Sequence, residues 1–120
     1  MTKPNHTILV VDDDEDLREI ICGVLEDAGY DAASAGNGRE ALDFLRSSPP
    51  PCLVLLDLMM PLMDGLSFIA EKEADSELAH IPVVVITAAA GSRLRSIAPR
   101  HVLPKPLKIE KLVGTVREYC

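Results

Sequence analysis

Three short runs of the chain are apolar at each position and rich in β-branched residues: Ile8-Leu9-Val10-Val11, Leu53-Val54-Leu55-Leu56 and Val83-Val84-Val85-Ile86. A strand with one wet face alternates apolar and polar residues; one that does not alternate must be covered on both faces. The segments between these runs supply the cover. Leu17, Ile20, Ile21, Val24, Leu25 and Ala28 recur at helical spacing as one apolar stripe, and Gly29 follows in the usual place for a left-handed cap. A second helix is predicted over Gly38 to Ser47, burying Ala41, Leu42 and Leu45. It is stopped by Ser47-Ser48-Pro49-Pro50-Pro51, which reads as a rigid loop. A third is predicted to start at Asp64, an N-cap residue, and to bury Leu66 and Ile69, with Ala70 beside them. A final helix is predicted to bury Ile109, Leu112, Val113 and Val116.

Two weaker strands, Asp31 to Ala35 and His101 to Leu103, complete an alternation of five strands with helices. Such alternation predicts a doubly wound α/β domain with a parallel sheet and right-handed crossovers. One segment fits poorly. Between Gly91 and Pro99 there is room for about two helical turns, with Leu94, Ile97 and Ala98 as its apolar face. A fourth helix here is expected to be short or distorted.

The chain has 120 residues, so the expectation is a single domain over residues 1–120. Its formal net charge of −7 argues against nonspecific binding to nucleic acid or anionic lipid. No apolar stretch approaches the ~20 residues of a membrane span, and the polar start, Met1 to His6, does not read as a signal peptide. Cys22, Cys52 and Cys120 are odd in number and far apart, with no His at metal spacing. Reduced thiols in a cytoplasmic protein fit them better than a disulfide framework or a zinc site.

Open parallel sheets bind ligands at the carboxyl ends of their strands. Asp12-Asp13-Asp14-Glu15-Asp16 follows the first strand, Asp57 the third, Thr87 the fourth, and Lys105, past Pro104, the fifth. Clustered carboxylates resist sharing a site unless a cation is present, and oxygen-rich ligands suit Mg²⁺. A carboxylate can also attack phosphorus to give an acyl phosphate. An incoming phosphoryl group then needs a metal, a Lys and a hydroxyl donor around its oxygens. Asp14, Glu15 and Asp16 read instead as first-turn residues that complement the helix dipole.

These residues, read in order, resemble the receiver domain of two-component response regulators. The resemblance is carried by Asp12-Asp13 after Ile-Leu-Val-Val, by Leu55-Leu56-Asp57 continuing to Met59-Met60-Pro61 and Asp64-Gly65, by Pro82 to Ala88, and by Leu103-Pro104-Lys105-Pro106. It implies a flavodoxin- or CheY-like sheet in the order 2-1-3-4-5 with helices on both faces. It implies Asp57 as the acceptor of a phosphoryl group from a phosphohistidine, and Mg²⁺ held by Asp13, Asp57 and the main-chain carbonyl of Met59, with Asp12 holding a metal-bound water. Thr87 and Lys105 would each engage a phosphoryl oxygen, and the Lys105-Pro106 peptide would be cis. The implied partners are a sensor histidine kinase or phosphotransfer protein and a downstream protein target. The expected oligomeric state is a monomer or weak dimer. The chain reads as a stand-alone signalling module rather than a turnover enzyme.

Two features depart from the family pattern. Val102 stands where an aromatic is usual, three positions before Lys105, and Thr87 and Lys105 are only 18 positions apart, which is short. Both fall in the switch region, so the expectation is ordinary phosphorylation with an atypical readout. The competing reading is a phosphohydrolase of the haloacid-dehalogenase type, since Asp12-Asp13-Asp14 superficially matches its Asp-x-Asp. However, Asp16 stands where that motif has Thr or Val. An EF-hand reading of Asp12-x-Asp14-x-Asp16 fails, because Leu17 occupies the required Gly position.

Overall fold

Strand β1 (Thr7–Val11) lies in the interior of the sheet, paired on both sides, where the least polar run of the N-terminal half belongs. A computed structural model describes residues 7–57, 65–87, 101–104 and 108–120. The elements that follow β1 are α1 (Glu15–Asp27), β2 (Asp31–Ala35), α2 (Gly38–Ser47), β3 (Leu53–Asp57), α3 (Gly65–Ala74), β4 (Val83–Thr87), β5 (His101–Pro104) and α4 (Ile109–Tyr119). The five strands are all parallel in the order β2-β1-β3-β4-β5. This is the flavodoxin/CheY-like architecture that the alternation and the resemblance predict.

Strand pleating sorts the apolar runs into two cores. Leu9, Val11, Val54 and Leu56 point to one face, where α2 (Ala41, Leu42, Leu45) and α3 (Phe68) cover them. Ile8, Val10, Leu53, Leu55, Val84 and Ile86 point to the other, where α1 (Ile21, Leu25) and α4 (Leu112, Val116) cover them. Both faces are sealed, which is why the strands carry no polar alternation.

The helix boundaries follow local chemistry. Asp14 caps α1, its carboxylate accepting from the Leu17 amide at 3.1 Å. Gly29, at φ 95°, turns the chain into β2 in the left-handed region that glycine enters without a Cβ penalty. Asn37 caps α2 by accepting from the Glu40 amide, and the Glu40 carboxylate reaches back to accept from the amide of Gly36, one residue before the cap.

Four apolar expectations are corrected, the first being Ala28, which is exposed just past the end of α1. Ile20 is 62% exposed and Ile109 59% exposed. The buried arc of α1 is centred on Ile21 and Leu25 and turned toward Arg18 and Cys22, which leaves Ile20 on its outer flank. On α4 the buried line is Leu112, Thr115 and Val116, with Val113 half-buried and Ile109 at the helix start beyond it. On α3, among the described residues, Phe68 and Lys72 are buried and Ile69 is half-buried, whereas Ala70 is exposed; the Leu66 side chain lies outside the described residues. The predicted N-cap Asp64 and the predicted fourth helix between Gly91 and Pro99 lie outside the described residues.

The cysteine expectation is also corrected. Cys52 and Cys120 are joined in a disulfide, with Cα atoms 5.7 Å apart across 68 residues of sequence, and Cys22 is a free thiol. The order of the sheet explains it. α4 packs back across β3 through Leu112 and Val116, so its last turn ends beside the start of β3. No spacing rule could have paired two cysteines brought together only by the fold. Among the described residues, no helix is long and apolar enough to cross a membrane.

Candidate functional site

The carboxyl ends of β1 and β3 are neighbours, with Val11 in register with Leu56. The next residue in each strand direction is therefore Asp12 and Asp57. Asp12 continues the β1 ladder by one bond, its amide donating to the Ala35 carbonyl at 3.1 Å. One of its carboxylate oxygens accepts from the Asp14 amide at 2.9 Å, and its carbonyl accepts from Arg18 Nη1 at 2.8 Å. Asp12 is 2% exposed and Asp57 5% exposed, while Asp13 is exposed. One oxygen from each of Asp12, Asp13 and Asp57 lies within 4.8 Å of the others.

Three carboxylates this close, two of them buried, are an electrostatic cost that the fold must offset. Part of the offset is local, because the amino end of α1 begins two residues past Asp13 and its dipole favours negative charge there. The rest of the chemistry suits a hard divalent cation. In octahedral Mg²⁺ coordination, oxygens sit about 3 Å apart when adjacent and about 4.2 Å apart when opposite. A cluster within 4.8 Å needs only a small contraction, or one water in the shell, to meet that geometry.

The remaining nominated residues are placed by topology. Thr87 is the last residue of β4, one position beyond the pairing of Asp57 with Ile86, and it is in register with Pro104 at the end of β5. Thr87 therefore stands at the same sheet edge as the carboxylates. Val102 is in register with Val85. Met59 and Lys105 fall outside the described residues. Arg18 is a residue that sequence reading missed. It holds the Asp12 backbone, and nothing in its spacing announces that a helix arginine will find a strand-end carbonyl six residues back.

The sequence model of the response regulator receiver domain matches residues 8–117. The chain belongs to that family. Among curated proteins it is 31% identical to the polar-differentiation response regulator DivK of Brucella anthropi, over 94% of each chain. It is 42% identical to the DNA-binding response regulator MtrA of Mycolicibacterium smegmatis, where the match takes in 98% of this chain and 51% of MtrA. Among solved structures, the chemotaxis protein CheY4 of Vibrio cholerae superimposes with a TM-score of 0.87 at 26% identity, covering 98% of this chain and all of that one. The chain is thus a receiver domain of two-component signalling, a signalling domain whose relatives work with histidine kinases or phosphotransfer proteins and downstream targets. The haloacid-dehalogenase alternative finds no support. The family match spans nearly the whole chain, and Asp14, third in the apparent Asp-x-Asp, is occupied in capping α1.

Proposed function

We propose that Asp57 is the phosphoacceptor of this receiver domain. The observation that carries the reading is the convergence of Asp12, Asp13 and Asp57 at the carboxyl ends of the adjacent strands β1 and β3. A carboxylate oxygen of Asp57 attacks the phosphorus of a phosphohistidine. The new O–P bond forms as the P–N bond breaks, and the departing electron pair returns to the imidazole, which takes up a proton. The donor is a sensor histidine kinase or a phosphotransfer protein.

Asp13, Asp57 and the Met59 carbonyl would hold Mg²⁺, with Asp12 acting through a bound water. The ion would supply positive charge to the phosphoryl oxygens. The Arg18 bond to the Asp12 carbonyl and the Asp14 amide bond to its carboxylate fix the orientation of Asp12 before any ligand arrives. Thr87 would donate to one phosphoryl oxygen and Lys105 would pair with another. The chemistry is limited to self-phosphorylation and self-dephosphorylation, without turnover of a separate substrate.

The product acts by protein–protein contact with a downstream target, as a cytoplasmic monomer or weak dimer that binds neither nucleic acid nor membrane. Valine at position 102 offers no ring to swing inward, so the readout runs through the loop after Thr87. The test is incubation with acetyl phosphate and Mg²⁺ followed by intact-mass measurement. The wild type gains one phosphoryl group per chain and Asp57→Asn gains none. Equal labelling of both proteins would overturn the assignment.

A further inference from the structure

We propose that Cys52 and Cys120 form a reversible thiol–disulfide pair, a redox-sensitive clamp between the last turn of α4 and the start of β3. It lies at the amino edge of the sheet, five residues and roughly 16 Å along β3 from Asp57. The inference is independent of the acidic site.

Three observations carry it. The Cα separation of 5.7 Å is the spacing a disulfide adopts without backbone movement. Both cysteines are only half-buried, and Cys120 follows the last residue of α4, its amide held by a bond to the Val116 carbonyl at 2.9 Å. Helix ends open at low cost, so fraying of this turn gives a small thiol or disulfide access to the sulfur. The reduced state is also accommodated. Cys52 Sγ lies 3.2 Å from the Thr7 carbonyl oxygen, which can accept from a Cys52 thiol once the disulfide is opened. Cys22 is a poor competitor, because burial and the neighbouring Glu26 push its thiol pKa up, against an opposing effect of Arg18.

The reactant class is a low-molecular-weight disulfide of the glutathione type. The Cys120 thiolate attacks one of its sulfurs, forming a mixed disulfide and expelling one thiolate. The Cys52 thiolate then attacks Cys120 Sγ, closing the internal disulfide and expelling the second. The two cysteines lose two electrons and the small disulfide gains them, with excess small thiol driving the reverse.

The fold should favour closure strongly. Holding ends 68 residues apart at bridging distance is worth about a thousandfold in the closure equilibrium by loop entropy. The test equilibrates the full chain in oxidised and reduced glutathione buffers, quenches with acid, and counts alkylated cysteines by mass after denaturation. At the oxidising end one cysteine is alkylated, Cys22, and at the reducing end all three. Peptide mapping of the oxidised form links Cys52 to Cys120. The closure constant falls about a thousandfold when the same equilibration is run in concentrated guanidinium. Amide exchange over residues 115–120 is slower in the oxidised form. Cys120→Ser, a change at a half-buried helix end, abolishes the redox dependence of that exchange. Three alkylated cysteines at every glutathione ratio, a bridge through Cys22, or equal closure constants in the folded and unfolded chain would each overturn the proposal.

Discussion

Replacing Asp13 by Asn should make the metal-free domain more stable and the Mg²⁺-loaded domain relatively less so. In the wild type one oxygen of Asp13 lies within 4.8 Å of an oxygen of Asp12 and of one from Asp57. Two unit charges at that distance repel by about 0.9 kcal/mol in bulk water and about 3.5 kcal/mol at the effective dielectric of a protein surface. Asp13 is exposed, so the lower figure governs, and losing both pairs should stabilise the metal-free chain by about 2 kcal/mol at low ionic strength. For a domain of this size that raises Tm by roughly 6–10 °C. The gain shrinks in 0.15 M salt, where the screening length is about 8 Å. Mg²⁺ at a hundredfold excess over its Kd stabilises the wild type by about 2.7 kcal/mol, and the Asn variant, lacking one ligand, by less. The order of the two Tm values therefore narrows or inverts with added Mg²⁺. Thermal melts by circular dichroism in EDTA and across a Mg²⁺ titration check this. An Asn variant that melts lower than wild type in EDTA at low salt, or an equal Mg²⁺ shift in both proteins, would refute the reasoning.

Further outcomes follow from single residues. Lys72 is 1% exposed and donates to the Ala79 carbonyl at 3.0 Å, and burial lowers its pKa, against the smaller opposing effect of Glu73. The unfolded chain then holds the Lys72 proton more tightly than the folded one. Its contribution to stability therefore rises with pH between the folded pKa and the ordinary value near 10.5, and is lost as pH falls through that window. Urea titrations should show this slope in wild type and not in Lys72→Met. Leu55, fully buried at the centre of β3, should cost about 3 kcal/mol as Leu55→Ala, read as a lower urea midpoint at unchanged slope. Arg18→Ala removes the bond to the Asp12 carbonyl and should cost about 1.5 kcal/mol while weakening Mg²⁺ binding in the melt titration. An unchanged Mg²⁺ affinity would mean that Arg18 has no part in positioning Asp12.

What the sequence made legible and what it hid divide along physical lines. β1, β3 and β4 were readable because continuous apolar runs admit only a doubly covered sheet, β2 and β5 followed from the alternation of strands with helices, and Asp12, Asp13 and Asp57 followed from their places at the ends of β1 and β3. Such a sheet presents the residues after its strands at one edge. Ile20 and Ile109 were misread because an apolar stripe at helical spacing can be wider than the arc its neighbours bury, and the rotation of a helix is set by packing. Phe68 and Lys72 show the same limit, since a lysine reads as solvated until a nearby carbonyl, here that of Ala79, receives its ammonium. The Cys52–Cys120 bridge and the Arg18 bond to Asp12 were invisible because each joins an element end to a partner fixed only by tertiary structure.

The account rests on Asp57 as the residue that receives the phosphoryl group, and locating the label tests it most directly. The Mg²⁺- and acetyl-phosphate-treated chain would be reduced with borohydride, which converts an aspartyl phosphate to homoserine, and then mapped by peptide sequencing. The account predicts homoserine at position 57 and at no other aspartate. Homoserine at position 12 or 13, or at none, would contradict it.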